Sequence, residues 1–331
     1  MIPCRLTSGL FLMAAMMLAA PARANDKLTV LLDWFANPNH APLVVAGAIG
    51  AYQREGLDVT FIQPADPTMP VRLVAAGHGD IAMGYQAMLY LQVERGLPVT
   101  RVGVLMDHTL ETLVALDTSG IKSIADLKGR RIGYNEVGGD TAIAAIGQVL
   151  STAHLTLNDV TLVDVGPGLT TSLLTHRIDA VGVNRNFEPF EVADKGQKVV
   201  GFDFEKYGVP SFDELIMVTR SDRAHDPKIL RFLRAVREGE AYLTAHPDES
   251  WKLFTKAYPS TNDSLNHAAW NFSIPYFAKD PLALDRDKYE KFGAFLVAHH
   301  VIKQNPPLAS YTVSLEPDQG VTPQKSAAIV P

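Results

Sequence analysis

Two hydrophobic periods alternate along this chain. Residues 27–33 place Leu28, Val30 and Leu32 on one side of a two-residue repeat and predict a short strand. Residues 42–54, rich in Ala, Val and Ile, predict a helix that Glu55-Gly56-Leu57 ends with a glycine stop. The alternation continues with a strand over 58–63, a helix over 68–76, a buried strand over 81–84, a helix over 86–95 stopped by Gly96, and a strand over 100–106. Ser123-Ile124-Ala125-Asp126 has the form of a capping box with Asp in place of Glu, opening a short helix that Gly129 closes. Strand 130–134, helix 141–153, strand 160–165, helix 169–175 and strand 180–183 repeat the scheme. Strands separated by helices of this length imply a parallel or mixed sheet with helices on both faces.

One stretch occurs twice. Leu73 to Ala82, through Gly77-His78-Gly79-Asp80, reads as helix, turn, Asp, apolar strand, and so does Leu173 to Ala180, through His176-Arg177-Ile178-Asp179. The echo predicts two similar α/β lobes. Helical patterns over 227–244, 248–257, 264–271 and 286–299 leave no strands for a third sheet. They are expected to pack back on the first lobe and make it discontinuous, over 25–115 and 220–305, with the second lobe over 116–219. Residues 306–331 are polar, proline-bearing and aperiodic, and predict a disordered tail.

The N-terminus changes the picture. Arg5 is the only charge ahead of an apolar run from Leu10 to Ala20, Pro21 follows, and Ala22-Arg23-Ala24 is a small-x-small site. These are the three parts of a secretory signal, expected over 1–24. The single cysteine, Cys4, would leave with it. The mature chain would then hold no disulfide, no thiolate nucleophile and no Cys-ligated metal, and no cysteine at the cleavage site for a lipid anchor. A periplasmic protein without a lipid anchor is the expectation. The 331 residues carry a net charge of -6 with no basic stripe, which argues against nucleic acid as a partner. Ten scattered histidines show no metal-ligand spacing, and no G-x-S-x-G or other nucleophile signature occurs. The reading is therefore a binding protein, not an enzyme, with no metal and no cofactor.

Loops at the carboxyl ends of strands carry the candidate binding residues, because such loops line the ligand crevice of open α/β sheets. Asp33-Trp34-Phe35-Ala36-Asn37-Pro38-Asn39-His40 joins an indole to several polar groups, a set suited to a flat heteroaromatic ring. Gly84-Tyr85-Gln86 and Tyr134 to Asp140 occupy equivalent positions. Asn184 to Pro189 and Val209 to Glu214 each set a carboxylate beside an aromatic. Arg185 is the one candidate cation for an anionic ligand, in a loop otherwise furnished with acids, and that balance favours an amine-bearing ring.

The run Leu32 to His40 with its following apolar helix resembles the NMT1/THI5-like family. Tyr85-Gln86, Val183 to Glu188, and Tyr207-Gly208-Val209-Pro210-Ser211-Phe212-Asp213-Glu214-Leu215 agree with it, and the resemblance runs in order over 27–219. It implies a periplasmic-binding-protein type II fold, two α/β lobes joined by a hinge with the ligand cleft between them. It implies a solute-binding component of an ABC importer for a thiamin pyrimidine precursor, formylaminopyrimidine or a related aminopyrimidine. The partners would be a permease and its ATPase subunit, and the receptor would act as a monomer. Carried over by position, Trp34 and Tyr85 would wall the pyrimidine, Asn37 would contact it and Glu188 would bond its amino edge. Asp33, His40, Gln86, Phe212 and Glu214 would lie in or near the cleft. Alternatives on the same fold are receptors for a sulfonate, nitrate or a riboflavin precursor, and the THI5-type pyrimidine synthases. Those enzymes use pyridoxal phosphate and consume an active-site histidine. They carry a Gly-Glu-Phe-Gly-Lys-like sequence where this chain has Asn135-Glu136-Val137-Gly138-Gly139.

Overall fold

The computed structural model describes residues 24–135 and 139–315. The expected signal, but for its last residue, and positions 136–138 of the second-lobe loop lie outside the described residues. Strands β1 (Asp26–Leu31), β2 (Leu57–Ile62), β3 (Ile81–Gly84) and β4 (Val99–Met106) alternate with helices α1 (Ala41–Ala48), α2 (Ala51–Arg54), α3 (Pro70–Ala75) and α4 (Gln86–Glu94). The chain then builds a second layer from β5 (Glu111–Leu116), β6 (Arg131–Tyr134), α5 (Gly139–Ser151), β7 (Thr161–Asp164), α6 (Leu169–Leu174), β8 (Ala180–Asn184), α7 (Glu188–Asp194) and β9 (Val199–Asp203). Strand β10 (Leu215–Arg220) returns to the first layer. Helices α8 (Pro227–Ala245), α9 (Pro247–Ala257), α10 (Ser264–Ser273) and α11 (Arg286–Ala298) follow.

The strands form two five-stranded sheets, ordered β2-β1-β3-β10-β4 and β7-β6-β8-β5-β9. In each, three parallel strands carry one antiparallel strand in the fourth place, β10 in the first sheet and β5 in the second. Both antiparallel strands pair in the sheet opposite to the one their sequence neighbours suggest. Glu111–Leu116 belongs to the second sheet and Leu215–Arg220 to the first, so the passages between lobes fall at 107–110 and 208–214 and not at 115/116 and 219/220. Sequence reasoning did not find β5, β9 or β10. Strands β5 and β10 are buried on both faces, which removes the alternation by which a half-exposed strand is recognised.

Local chemistry explains several element ends. The expected helix over 42–54 is two helices, because Gly50 takes φ +77 and interrupts it. The Ser123–Asp126 capping box forms, with Asp126 accepting from the backbone N–H groups of Lys122 and Ser123. Asp226, Asp263 and Asp285 each accept a first-turn N–H and start α8, α10 and α11.

The repeated stretch is a repeated structural device. Asp80 exchanges backbone and side-chain bonds with Thr29 within β1: its own N–H donates to the Thr29 carbonyl, and its carboxylate accepts from Thr29 N–H at 2.7 Å. Asp179 does the same with Arg131 at the start of β6, at 2.8 Å. Each Asp follows a left-handed turn residue, Gly77 at φ +86 in one sheet and His176 at φ +57 in the other.

Helix α8 lies against α1 so closely that a Cβ on Gly239 would sit 2.4 Å from the Pro42 carbonyl. Helices α8 and α9 thus pack on α1 of the first layer, while α10 meets the turn Pro38–His40 of that layer and α7 of the second. The tail is a correction. Residues 306–315 are ordered: Arg101 donates to the Tyr311 carbonyl at 2.8 Å and accepts from Val313 at 3.1 Å, which covers the outer edge of β4. Tyr311 is buried against Tyr90 and Tyr289. Backbone pairing to a strand 200 residues away leaves no periodic mark in a segment this short. The expected disorder over 316–331 falls outside the described residues.

Candidate functional site

The carboxyl ends of β3, β6 and β8 open towards the space between the two sheets, where the crevice of an open α/β sheet lies. A cavity of ≈ 120 Å³ occupies it. Tyr85, Ala87 and Met88 contribute from the first lobe, and Asn135, Thr141 and Leu169 from the second. The segment Gly182 to Asn184 and Glu188 supply one wall, and Glu111, Phe212 and Glu214 supply the side nearest the two passages between lobes. Apolar and aromatic walls with a few convergent polar groups are the general character of small-molecule sites.

Of the nine residues expected in or near the cleft, Tyr85, Glu188, Phe212 and Glu214 line this cavity. Asp33 lies directly behind the Tyr85 wall, accepting a hydrogen bond from the Tyr85 hydroxyl and another from His40 at 2.9 Å. His40 is wholly buried, and its Nδ1 accepts from the Asn37 backbone N–H at 3.2 Å. That assigns the proton to Nε2, which donates to Asp33. Burial by itself would raise the Asp33 pKa, but the hydrogen bonds from His40 and from Tyr85 outweigh it and hold Asp33 below the ordinary carboxylate value. Burial, with the Asp33 charge beside it, pushes the Tyr85 phenol well above its usual range.

The remaining expected residues do other work. Gln86 is wholly buried: its Oε1 accepts from Asp213 N–H at 2.7 Å, and its Nε2 donates to the Tyr90 hydroxyl at 3.1 Å. It secures a passage between lobes and does not line the cavity. Asn37 caps the turn Pro38–His40, accepting from Asn39 N–H and donating to the Phe35 carbonyl, both at 2.9 Å. Trp34 is half-buried and meets the exposed Phe35 edge-to-face at 6.1 Å.

Three carboxylates dominate the electrostatics of the cavity. Glu214 Oε2 accepts from Leu110 N–H at 2.8 Å, and Glu188 Oε2 accepts from Asn184 N–H at 3.1 Å. Glu111, at the start of β5, completes the set. Burial, then the neighbouring Glu214 charge, pushes Glu111 up to about 8. Burial likewise pushes Glu188 and Glu214 up to about 7, against the backbone bonds that favour their ionised forms. Arg185 faces away from the ligand space. It donates to the Leu110 and Glu111 carbonyls at 3.3 Å and is paired with Glu205 at 2.7 Å and Asp203 at 3.4 Å. It is not placed to receive an anion.

Asn135 lies in the candidate loop Tyr134 to Asp140, whereas Glu111, Thr141, Met88 and Leu169 were not singled out in the sequence as binding residues. Glu111 escaped because its strand was unread; a carboxylate opening an apolar run, as in Glu111-Thr-Leu-Val-Ala-Leu, was the available signal. Met88 and Thr141 meet across the cleft at 3.8 Å, from helices that begin at two different strand ends.

Beside the cavity, a second contact joins the lobes. Asn186 Nδ2 donates to Asn39 Oδ1 at 2.6 Å and to Ser273 Oγ at 2.8 Å, and Phe190 packs edge-to-face on Phe272 at 5.7 Å. At the passages themselves, Lys288 Nζ donates to the Asp107 carbonyl at 2.6 Å and to Asp213 Oδ1 at 2.8 Å, so one α11 side chain ties both connecting segments.

No group of three or more His, Cys, Asp or Glu side chains among the described residues is arranged to hold a metal ion. The described residues that line the cavity do not fit pyridoxal phosphate. Its aldehyde requires a lysine and its phosphate a cation or a cradle of N–H groups, whereas neither lysine nor histidine occurs among the described residues lining the space and three acids do.

The family description NMT1/THI5 like matches residues 37–250. A Haemophilus influenzae protein, whose name assigns it provisionally to thiamine biosynthesis, is 39% identical over 91% of this chain and 96% of its own length. The formylaminopyrimidine-binding protein of Halalkalibacterium halodurans is 31% identical over 75% of each chain. A Legionella pneumophila relative, 28% identical over 90% of this chain and 95% of its own, is named 4-amino-5-hydroxymethyl-2-methylpyrimidine phosphate synthase. Among solved structures, the periplasmic aliphatic sulphonate binding protein of Escherichia coli superposes with a TM-score of 0.69 at 12% identity, covering 92% of this chain and 96% of that one. The fold is that of the type II periplasmic binding proteins.

Proposed function

Because the chain belongs to the NMT1/THI5-like family, we propose that it is the exported solute-binding component of an ABC importer. In this reading it captures a thiamin pyrimidine precursor, formylaminopyrimidine or a related aminopyrimidine, and delivers it to a permease driven by an ATPase subunit. The observation that carries the proposal is the inter-lobe cavity, in which aromatic walls from Tyr85 and Phe212 stand beside the carboxylates Glu188, Glu214 and Glu111. A flat ring is held by the aromatic faces, and the N–H groups of its amino edge are donors matched to carboxylate acceptors. Trp34, half-buried on the loop after β1, is assigned the second wall. Asn37 and His40 support that loop from behind through the Asn37 cap and the Asp33 bond. The two lobes meet at the passages 107–110 and 208–214, and the receptor works as a monomer in the periplasm.

Calorimetric titration of the mature protein with formylated, hydroxymethyl and free aminomethyl pyrimidines tests the ligand. Binding by at least one is expected, and no binding by any would sink the assignment. The relatives named as synthases support a second reading, an enzyme making the pyrimidine. The cavity's want of a lysine opposes it. Release of a pyrimidine on incubation with pyridoxal phosphate and iron would establish it in place of the receptor.

A further inference from the structure

We propose that the cleft takes its ligand as a cation, so that a pyrimidine bearing a free aminomethyl group, and hence a primary ammonium, is preferred to its N-formylated form. The inference rests on the aminopyrimidine reading above and decides between members of that class. Glu111 comes from the start of β5, Glu188 from the start of α7, and Glu214 from the end of the second passage, yet all three line one small cavity. Glu214 is only 3% exposed. Its Oε2 takes the Leu110 N–H, and among the described residues no other hydrogen bond reaches its carboxylate. The Glu111 carboxylate accepts none among the described residues, since the Arg185 bond to that residue goes to its backbone carbonyl.

Among the described residues, Arg185 is the one cation that acts on these acids, and it leaves them undercompensated. Arg185 is the cation nearest Glu111 and Glu214, and Glu205 and Asp203 already answer its charge outside the ligand space. The other charged neighbours make matters worse: Glu191 faces Glu188, and Asp33 faces Glu214 and is itself committed to His40 and Tyr85. Tyr276 stands near Arg185 and supplies no positive charge. A buried carboxylate without a counter-charge keeps its proton, which agrees with the upward displacement of all three acids. A formamide offers the cavity one neutral N–H and a carbonyl. An ammonium offers three donors and a positive charge, and hydrogen bonds of that kind are about twice as strong as neutral ones. When the ammonium enters, a carboxylic acid of the cluster gives its proton to buffer and the carboxylate pairs with the ligand; the ligand keeps all of its own protons.

The experiment titrates the mature protein calorimetrically with the aminomethyl, N-formylaminomethyl and hydroxymethyl pyrimidines. It uses two buffers of different ionisation enthalpy, from about pH 5.5 to about pH 8.5, which spans the ionisation of Glu188 and Glu214 and passes through that of Glu111. The amine is expected to bind at least ~10-fold tighter than the formamide near neutral pH, a modest demand on one charge-assisted contact. It should release about one proton and tighten as pH rises, because its partners ionise. The hydroxymethyl compound should follow the formamide. Glu111→Gln should remove ~10-fold of amine affinity while leaving the formamide within ~3-fold. A formamide that binds as tightly as the amine, amine binding without proton release, or equal losses for both ligands in Glu111→Gln would each overturn the inference and leave the receptor standing. Failure of all three compounds to bind would remove the aminopyrimidine reading and this inference with it.

Discussion

Replacing Lys288 with methionine isolates the contact that ties both inter-lobe passages to α11. Methionine keeps the unbranched stem and its packing and removes only the ammonium. Lys288 Nζ lies 2.8 Å from Asp213 Oδ1, and the side chains are 16% and 3% exposed respectively. Breaking a fully buried ion pair costs about 3–5 kcal/mol, because the surviving charge is left without compensation. Two features lower that figure. Asp213 retains the Tyr289 hydroxyl at 3.0 Å and Arg101 Nη2 at 3.8 Å, and the lysine is not wholly desolvated. A loss of about 2–3 kcal/mol is therefore expected, or roughly 3–5 °C in Tm for a protein of about 300 folded residues. Urea unfolding at neutral pH measures it. The double variant Lys288→Met with Asp213→Asn should lose less than the two single losses added together, with a coupling of about 1–3 kcal/mol, since no acid is then left uncompensated. A loss for Lys288→Met within about 0.5 kcal/mol of zero would refute the reasoning, because surface substitutions reach that size by themselves.

Three further outcomes follow from the geometry. Asn186→Ala deletes the two hydrogen bonds that this side chain makes from the turn between β8 and α7 to the first lobe, and should weaken ligand binding by about tenfold, chiefly through faster release. Unchanged release in stopped flow would show that closure does not use it. Glu111, Glu188 and Glu214 titrate higher when folded than their ordinary 4.5, so the folded state binds more protons between that value and about 7 to 8. Their contribution is fully present below pH 4.5 and is lost as pH rises through the folded values, so from this cause the urea midpoint of the ligand-free protein should fall between about pH 5 and about pH 8; a midpoint rising across that window, in a variant with all three changed to Gln as well as in the parent, would count against the assignment. Gly239→Ala sets a methyl 2.4 Å from the Pro42 carbonyl and 2.8 Å from Ala46 N, and forcing α1 and α8 apart should cost about 2 kcal/mol or more in thermal or urea unfolding. A neutral result there would mean that the helix pair has slack the structure does not show.

Much of the α/β alternation could be read from local chemistry. Leu28, Val30 and Leu32 on one face marked the first strand, glycines marked helix ends, and Asp80 and Asp179 after similar turns marked two related halves. Those signals arise within a few residues of each other, so the chain carries them before it folds. The motif that resembles the NMT1/THI5-like family lies in such local stretches too, and it led to Tyr85, Glu188, Phe212 and Glu214, which line the cavity. What neither period nor motif could supply was the partner of each segment. Strands β5 and β10 have covered faces and no alternation, and only pairing with β8, β9, β3 and β4 assigned them to sheets and moved the lobe boundary. Gln86 and Asn37 sit in motif positions, yet Asp213 and Asn39 turn them to structural bonds. Residues 306–315 read as disordered until β4, two hundred residues earlier in the chain, offered them an edge. Glu111 became a site residue only when it was brought beside Glu214, 103 positions away, because a carboxylate's charge state depends on what surrounds it, and the surroundings are made by the fold.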